Sequence, residues 1–120
     1  MAGKSFDEMV AGAESRAREI PAADAVAMHR SGEELVYLDV RESNEWNLFR
    51  IPGAIHLPLG RVRDGVRDVV QPDERVMIYC ARGGRAAQAA VVMCELGYCR
   101  IAVIEGGVAA WYAAGGELEE

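Results

Sequence analysis

Short apolar runs bounded by charged or turn-forming residues recur along the chain and predict buried strands. Four such runs are present, at residues 35–40, 54–57, 75–79 and 101–104. Between them lie stretches with helical apolar spacing or many strong helix formers. These predict helices over residues 22–30, 42–49, 86–96 and 107–114. We expect residues 58–70 to form a loop with a helical turn.

The N-terminal segment has a helical pattern of its own. Phe6, Met9, Val10 and Ala13 recur at helical spacing, with acidic residues early and arginines late, which predicts a helix over residues 6–18. Pro21 then suits the first turn of the next helix, and 120 residues is the length of one domain. We therefore expect three parts: an N-terminal helical extension over residues 1–19, a domain over residues 20–116, and a polar tail over residues 117–120.

Strands that alternate with helices predict an α/β fold with a parallel sheet flanked by helices on both faces. Ligands of such sheets bind outside the carboxyl ends of the strands. Asp39 and Arg41 fall at the carboxyl end of one predicted strand, and Cys80 falls at the carboxyl end of another. These three residues are therefore candidates for one functional site.

The amino-acid composition disfavours several kinds of partner, location and binding site. The net charge of −6 disfavours nucleic acid as a partner, and no apolar run approaches the roughly 20 residues that span a bilayer. The first residues lack the apolar core of a secretory signal, and three cysteines, an odd number, favour free thiols in a reducing compartment. We expect a cytoplasmic protein. The cysteines have no metal-ligand spacing with the two histidines, so we expect no metal site.

The most informative stretch is the loop at residues 80–85, between a predicted strand and a predicted helix. It holds one cysteine, two glycines and two arginines, and no acidic residue lies between Glu74 and Glu95. Such a loop can aim its backbone N–H groups and the positive end of the helix at one point. A thiol in that position ionises readily, and the thiolate is the reactive form. The alternative is that Cys80 is an inert core residue.

This loop resembles the active-site loop of the rhodanese (sulfurtransferase) family. Three other segments resemble the family in the right order: Asp-Val-Arg-Glu at residues 39–42, Ile-Pro-Gly-Ala at residues 51–54, and Glu-Gly-Gly…Trp at residues 105–111. Together they cover roughly residues 20–116. The resemblance implies a five-stranded parallel sheet.

The resemblance also implies a reaction. Cys80 would take the outer sulfur of thiosulfate or a persulfide donor, hold it as a persulfide, and pass it to a thiol or to cyanide. No metal or organic cofactor is implied. The partners would be a small anionic donor and a thiol acceptor, either of which a partner protein can carry. The implied substrate-binding residues are those after the cysteine: Ala81, Arg82, Gly83, Gly84 and Arg85.

Several alternatives stay open. Arg82 and Arg85 either hold the donor or tie the loop to a nearby carboxylate, and we favour donor binding for each. Ala81 stands where relatives commonly have a basic residue.

Asp39 and Arg41 are expected around the site as supporting groups, with a structural role slightly favoured for both. The alternatives are that Asp39 orients a loop arginine, and that Arg41 either pairs with Glu42 or Glu45 or helps to hold the donor. Arg50 stands where many relatives have histidine, and we expect it to be solvated.

Other functions also remain. Related phosphatases resemble Cys followed by five residues and then Arg, whereas only four residues separate Cys80 from Arg85. This shorter loop disfavours a phosphatase or an arsenate reductase, since it fits a sulfur atom better than a tetrahedral phosphate. A non-catalytic regulatory or binding module is the main alternative to a sulfurtransferase.

Overall fold

The computed structural model describes residues 5–10 and 18–120. Within these residues, five strands form one parallel sheet in the order β1-β5-β4-β2-β3. The strands are β1 Arg18–Ile20, β2 Val36–Asp39, β3 Ile55–His56, β4 Val76–Tyr79 and β5 Ile101–Ile104. The helices are α1 Phe6–Val10, α2 Ala22–Arg30, α3 Ser43–Leu48, α4 Val62–Val69, α5 Gly84–Glu95 and α6 Gly107–Ala113, with a 3-10 turn at Leu59–Arg61. The predicted α/β class and parallel sheet are confirmed.

Helices cover both faces of the sheet, and each face has its own core. On the first face, α4 and α5 pack on the sheet; on the second face, α1, α2 and α6 do. The central strand β4 is buried on both faces, because Val76 and Ile78 enter the first core while Met77 and Tyr79 enter the second. The same alternation places Cys80, the residue after β4, in the first core.

The N-terminal prediction is partly wrong. The predicted helix over residues 6–18 is observed as α1 Phe6–Val10, residues 11–17 lie outside the described residues, and Arg18 begins a strand. This strand, β1, pairs with β5 at the edge of the sheet and runs across the expected boundary between residues 19 and 20. Only Ile20 of its three residues is buried. Backbone pairing therefore makes this strand, and the side-chain pattern does not reveal it.

The prediction that residues 58–70 form a loop with a helical turn is also wrong, because most of this segment is helical. A 3-10 turn leads directly into α4. Val62, Val66 and Val70 are each 0% exposed and pack in the first core, four residues apart. This spacing places all three valines on one helix face, which stabilises α4 against α5.

The C-terminal segment returns to the domain and pairs with Arg50. The backbone N–H of Arg50 donates to Glu119 O at 2.9 Å, and that of Glu119 donates to Arg50 O at 2.8 Å. The Arg50 side chain is only 18% exposed, and its guanidinium lies 4.6 Å from the centre of the Trp46 ring. The expectation that Arg50 is solvated is therefore wrong.

Candidate active site

Cys80 directly follows β4 and is 1% exposed. Its Sγ accepts hydrogen bonds from two backbone N–H groups, that of Gly83 at 2.9 Å and that of Ala86 at 3.4 Å. Both donors belong to the turn that begins α5, whose N-cap is Gly83. The N-terminal end of this twelve-residue helix favours negative charge at Sγ. The described residues thus hold Sγ with backbone groups alone.

Backbone hydrogen bonds from the start of α6 hold the cysteine loop in place. The backbone N–H of Val108 donates to Cys80 O at 2.8 Å, and that of Ala109 donates to Ala81 O at 3.2 Å. These bonds hold the carbonyls of Cys80 and Ala81 against α6, while other backbone N–H groups donate to Sγ. Gly107 permits the contact, because a Cβ added there would lie 2.6 Å from Cys80 O and 2.5 Å from Ala81 O. The Glu-Gly-Gly segment therefore shapes the cysteine loop.

The two loop arginines occupy different environments. Arg85 makes a bidentate ion pair with Glu45 in α3. Its Nη1 donates to Oε1 at 2.6 Å, and its Nη2 donates to Oε2 at 2.9 Å. The hydrogen bond from Arg85 is the main cause that lowers the pKa of Glu45 to about 2. Arg82 is exposed and has no ion pair within the described residues. Of the two alternatives for Arg85, the geometry is that of a tie between the loop and a carboxylate.

Glu45 belongs to the site, although nothing in the sequence around Cys80 points to it. It lies 40 positions from Arg85, and the pairing joins two elements that meet only in the folded chain. Its Oε1 also accepts the backbone N–H of Glu42 at 3.0 Å, which holds the carboxylate at the start of α3. No local pattern reveals such a pair. The absence of acidic residues near Cys80 in the sequence gave the opposite impression.

Asp39 and Arg41 form a buried ion pair, 0% and 2% exposed. Arg41 Nη2 donates to Asp39 Oδ2 at 2.8 Å, Nε lies 3.1 Å from both carboxylate oxygens, and the Arg41 backbone N–H donates to Oδ1 at 2.9 Å. The Arg41 guanidinium lies 5.2 Å from the centre of the Phe49 ring and 5.8 Å from that of Tyr79. Phe49 and Tyr79 belong to the second core. The pair therefore packs against the sheet face opposite the Cys80 side chain.

This buried pair positions α3. Arg41 Nη2 also donates to the carbonyl of Phe49 at 2.6 Å, at the residue that ends α3. His56 Nε2 lies 2.8 Å from Arg41 O, and its ring stacks on Trp46 of α3 at a centroid distance of 4.8 Å. These contacts fix the helix that carries Glu45. The geometry therefore favours a structural role for Asp39 and Arg41. The expected partners are wrong, because Arg41 pairs with Asp39 and not with Glu42 or Glu45, and Asp39 holds Arg41 and not a loop arginine.

The other expectations concern metals and membranes. In the part of the chain that the structure describes, no group of three or more histidine, cysteine or acidic side chains is placed to hold a metal ion. Within the same residues, no helix is long and apolar enough to cross a membrane.

A parallel α/β domain with a cysteine in a backbone-lined loop before a helix is a defined structural class, and comparison with known proteins identifies the family. The family model for the rhodanese-like domain matches residues 22–114. The chain belongs to this family.

Curated relatives and solved structures agree with this family assignment. A putative sulfur carrier protein of Bacillus subtilis, YrkF, is 36% identical over 81 residues, which cover 68% of this chain and 43% of the relative. A sulfurtransferase of Allochromatium vinosum is 32% identical over 79 residues, 66% of this chain and 73% of the relative. The rhodanese-like domain of an Anabaena protein superposes with a TM-score of 0.79 at 26% identity, covering 84% of this chain and 77% of that one.

Another solved structure carries a different functional description. It is a Rhodopseudomonas palustris protein of unknown function, described as a possible tyrosine phosphatase. It superposes with a TM-score of 0.77 at 32% identity and covers 99% of this chain and 97% of that one. The present chain spans less than half the length of the first curated relatives, at 43% and 21%. Family membership therefore leaves the reaction to be argued from the site.

Proposed function

We propose that this protein is a sulfurtransferase that carries sulfane sulfur as a persulfide on Cys80. The observation that carries the proposal is the placement of Sγ, which accepts two backbone N–H groups at the start of α5. Oriented N–H groups in a site that excludes water stabilise negative charge on sulfur, both in the thiolate and in the persulfide. The names of two relatives, a sulfur carrier and a sulfurtransferase, support the same chemistry.

The proposed reaction has two half-steps. The Cys80 thiolate attacks the outer sulfur of thiosulfate, the Sγ–S bond forms, the S–S bond of thiosulfate breaks, and sulfite leaves with the bonding electron pair. The total charge is −3 before and after, since a thiolate and a dianion become a persulfide anion and sulfite. An acceptor thiolate or cyanide then attacks the outer sulfur and restores the Cys80 thiolate. No metal or organic cofactor takes part.

The donor and acceptor are finer parts of the proposal. Thiosulfate, a small persulfide or a persulfide on a partner protein fits the same first half-step. The sulfur carrier among the relatives and a second relative, named a probable adenylyltransferase/sulfurtransferase, make a protein partner reasonable. The reaction needs Cys80 reduced, which fits the proposed cytoplasmic location.

A phosphatase is the second candidate, because one similar structure is described as a possible tyrosine phosphatase. Arginine binds phosphate best through two parallel N–H groups of its guanidinium. The phosphatase pattern has its arginine one position after Arg85, where this chain has Ala86, and the guanidinium of Arg85 already forms a bidentate ion pair with Glu45. We therefore favour sulfur transfer over phosphate hydrolysis.

Turnover assays separate these functions from a non-catalytic module. The purified chain is given thiosulfate and cyanide, with thiocyanate as the readout, and in parallel an aryl phosphate. Sulfur transfer predicts thiocyanate from wild type and from Cys99→Ser, a control at an exposed cysteine, and none from Cys80→Ser. Phosphate release that depends on Cys80 would support the phosphatase instead. Neither product, with thiosulfate or a persulfide as donor, would support the binding module.

A further inference from the structure

The charge balance at the mouth of the site bears on which donors it accepts. The loop carries two arginines, but Arg85 forms an ion pair with Glu45 through two hydrogen bonds of 2.6 and 2.9 Å. The remaining loop cation, Arg82, is exposed, so water and salt screen its charge. The loop therefore offers a donor less positive charge than its sequence indicates.

We propose that Glu45 is a specificity-determining residue that weakens binding of dianionic donors such as thiosulfate and so favours donors with a single charge, such as small persulfides. This inference rests on the proposed function and names the substrate class of the same site. Glu45 acts through Arg85, and it is a positioning residue with an electrostatic effect. It touches neither Sγ nor any group that bonds to Sγ within the described residues.

Glu45 is fixed where it can act. Its Oε1 accepts both Arg85 Nη1 and the backbone N–H of Glu42, and the helix that carries it is held by Arg41 at its end and by the Trp46–His56 stack. A donor that needs the Arg85 charge would have to displace a carboxylate with two bonds to the guanidinium and a third to the backbone. The carboxylate therefore stays in place while a donor binds.

Arg85 lies beside the reacting sulfur, because it directly precedes Ala86, whose backbone N–H donates to Cys80 Sγ at 3.4 Å. An arginine free of Glu45 would attract an anion that approaches Sγ. With Glu45 in place, the negative charge of the carboxylate weakens that attraction.

The two donor classes differ in the charge that must be held. Thiosulfate brings two negative charges beside the thiolate, and sulfite leaves with two. A small alkyl persulfide brings one negative charge, and its thiolate leaves with one, so its reaction with the Cys80 thiolate conserves a total charge of −2. The loop N–H groups serve the transferred sulfur in both cases. The additional charge of thiosulfate needs a cation, and the charge of Arg85 is already paired with that of Glu45.

The test compares two donors in wild type and in Glu45→Gln. Glutamine keeps the size of the side chain and an oxygen for the Glu42 N–H, but it removes the charge. The readout is the rate at which Cys80 gains one sulfur atom, followed by intact mass, against the concentration of thiosulfate or of 2-hydroxyethyl persulfide. Glu95→Gln is the matched control, because Glu95 pairs with Arg63 at 2.8 Å on the exposed surface between α4 and α5.

We expect Glu45→Gln to lower the half-saturating thiosulfate concentration by about threefold to tenfold, an effect reduced by partial exposure of the pair. The persulfide value should change by less than about twofold, and Glu95→Gln should change neither. Equal shifts for both donors, or no shift for thiosulfate, would overturn the inference. Wild type that gains no sulfur from either donor would instead overturn the proposed function. If Glu45→Gln does not fold, Glu45→Ala, which also removes the charge, is used, and a donor-selective shift of the same sign is required.

Discussion

Replacing Gly107 with alanine tests how the site is built. Gly107 begins α6 with φ +65°, and an added Cβ would lie 2.5 Å from Ala81 O and 2.6 Å from Cys80 O. Those oxygens are backbone atoms, so relief requires that the loop and α6 move apart. This movement would break the bonds from Val108 N–H to Cys80 O and from Ala109 N–H to Ala81 O. We expect loss of both stability and sulfur transfer.

The magnitude follows from two contributions. An alanine in left-handed backbone costs about 1–2 kcal/mol, and overpacking against fixed atoms costs about 1–3 kcal/mol. Gly107→Ala should therefore lower the free energy of unfolding by about 2–5 kcal/mol. Gly32→Ala isolates the first contribution, because Gly32 has φ +77° and an added Cβ there meets nothing within 4 Å.

Urea unfolding of the two variants and wild type measures both contributions. We expect Gly32→Ala to lose about 1–2 kcal/mol with full sulfur-transfer activity. Gly107→Ala should lose more stability. Its Cys80 should also gain sulfur more slowly than that of wild type at urea concentrations where the variant is still folded. Equal destabilisation by the two substitutions, with normal loading of Gly107→Ala, would refute the reasoning that α6 shapes the loop.

Two further predictions concern the ion pairs. Asp39→Ala leaves the buried Arg41 without its carboxylate and should lower the free energy of unfolding by about 3–5 kcal/mol. The double variant Asp39→Ala with Arg41→Met should regain part of that loss, and urea unfolding that shows no recovery would contradict the prediction. Because the folded-state pKa of Glu45 is lowered from 4.5 to about 2, its stabilisation is present above pH 4.5 and is lost as the pH falls towards 2. The stability difference between wild type and Glu45→Gln should therefore shrink between about pH 6 and about pH 3, and a difference that stays constant would show that the carboxylate charge contributes nothing.

The sequence predicts the centre of the fold better than its edges. The strand before Cys80 and the helix after it were predictable, because β4 is a continuous apolar run and α5 consists largely of strong helix formers. Strand β1 was not, because two of its three residues are exposed and its burial rests on Ile20 alone. Helix α4 was missed although Val62, Val66 and Val70 recur every four residues, a spacing that would have revealed it.

The site shows the same division between local and long-range information. Cys80 and its loop stand in one short stretch, so a nucleophilic role for Cys80 could be proposed from neighbouring residues. The partner of Arg85 could not, because Glu45 lies in α3 and meets the loop only after the sheet brings the two elements together. Arg50 was misjudged for a similar reason, since its contacts come from Trp46 and from Glu119 near the C-terminus.

The measurement that tests the central claim most directly is the intact mass of the protein before and after thiosulfate or a persulfide, for wild type, Cys80→Ser and Cys99→Ser. We predict a gain of one sulfur atom in wild type and Cys99→Ser, its removal by cyanide, and no gain in Cys80→Ser. A gain that persists in Cys80→Ser, or no gain in wild type from either donor, would contradict a sulfur carrier at Cys80.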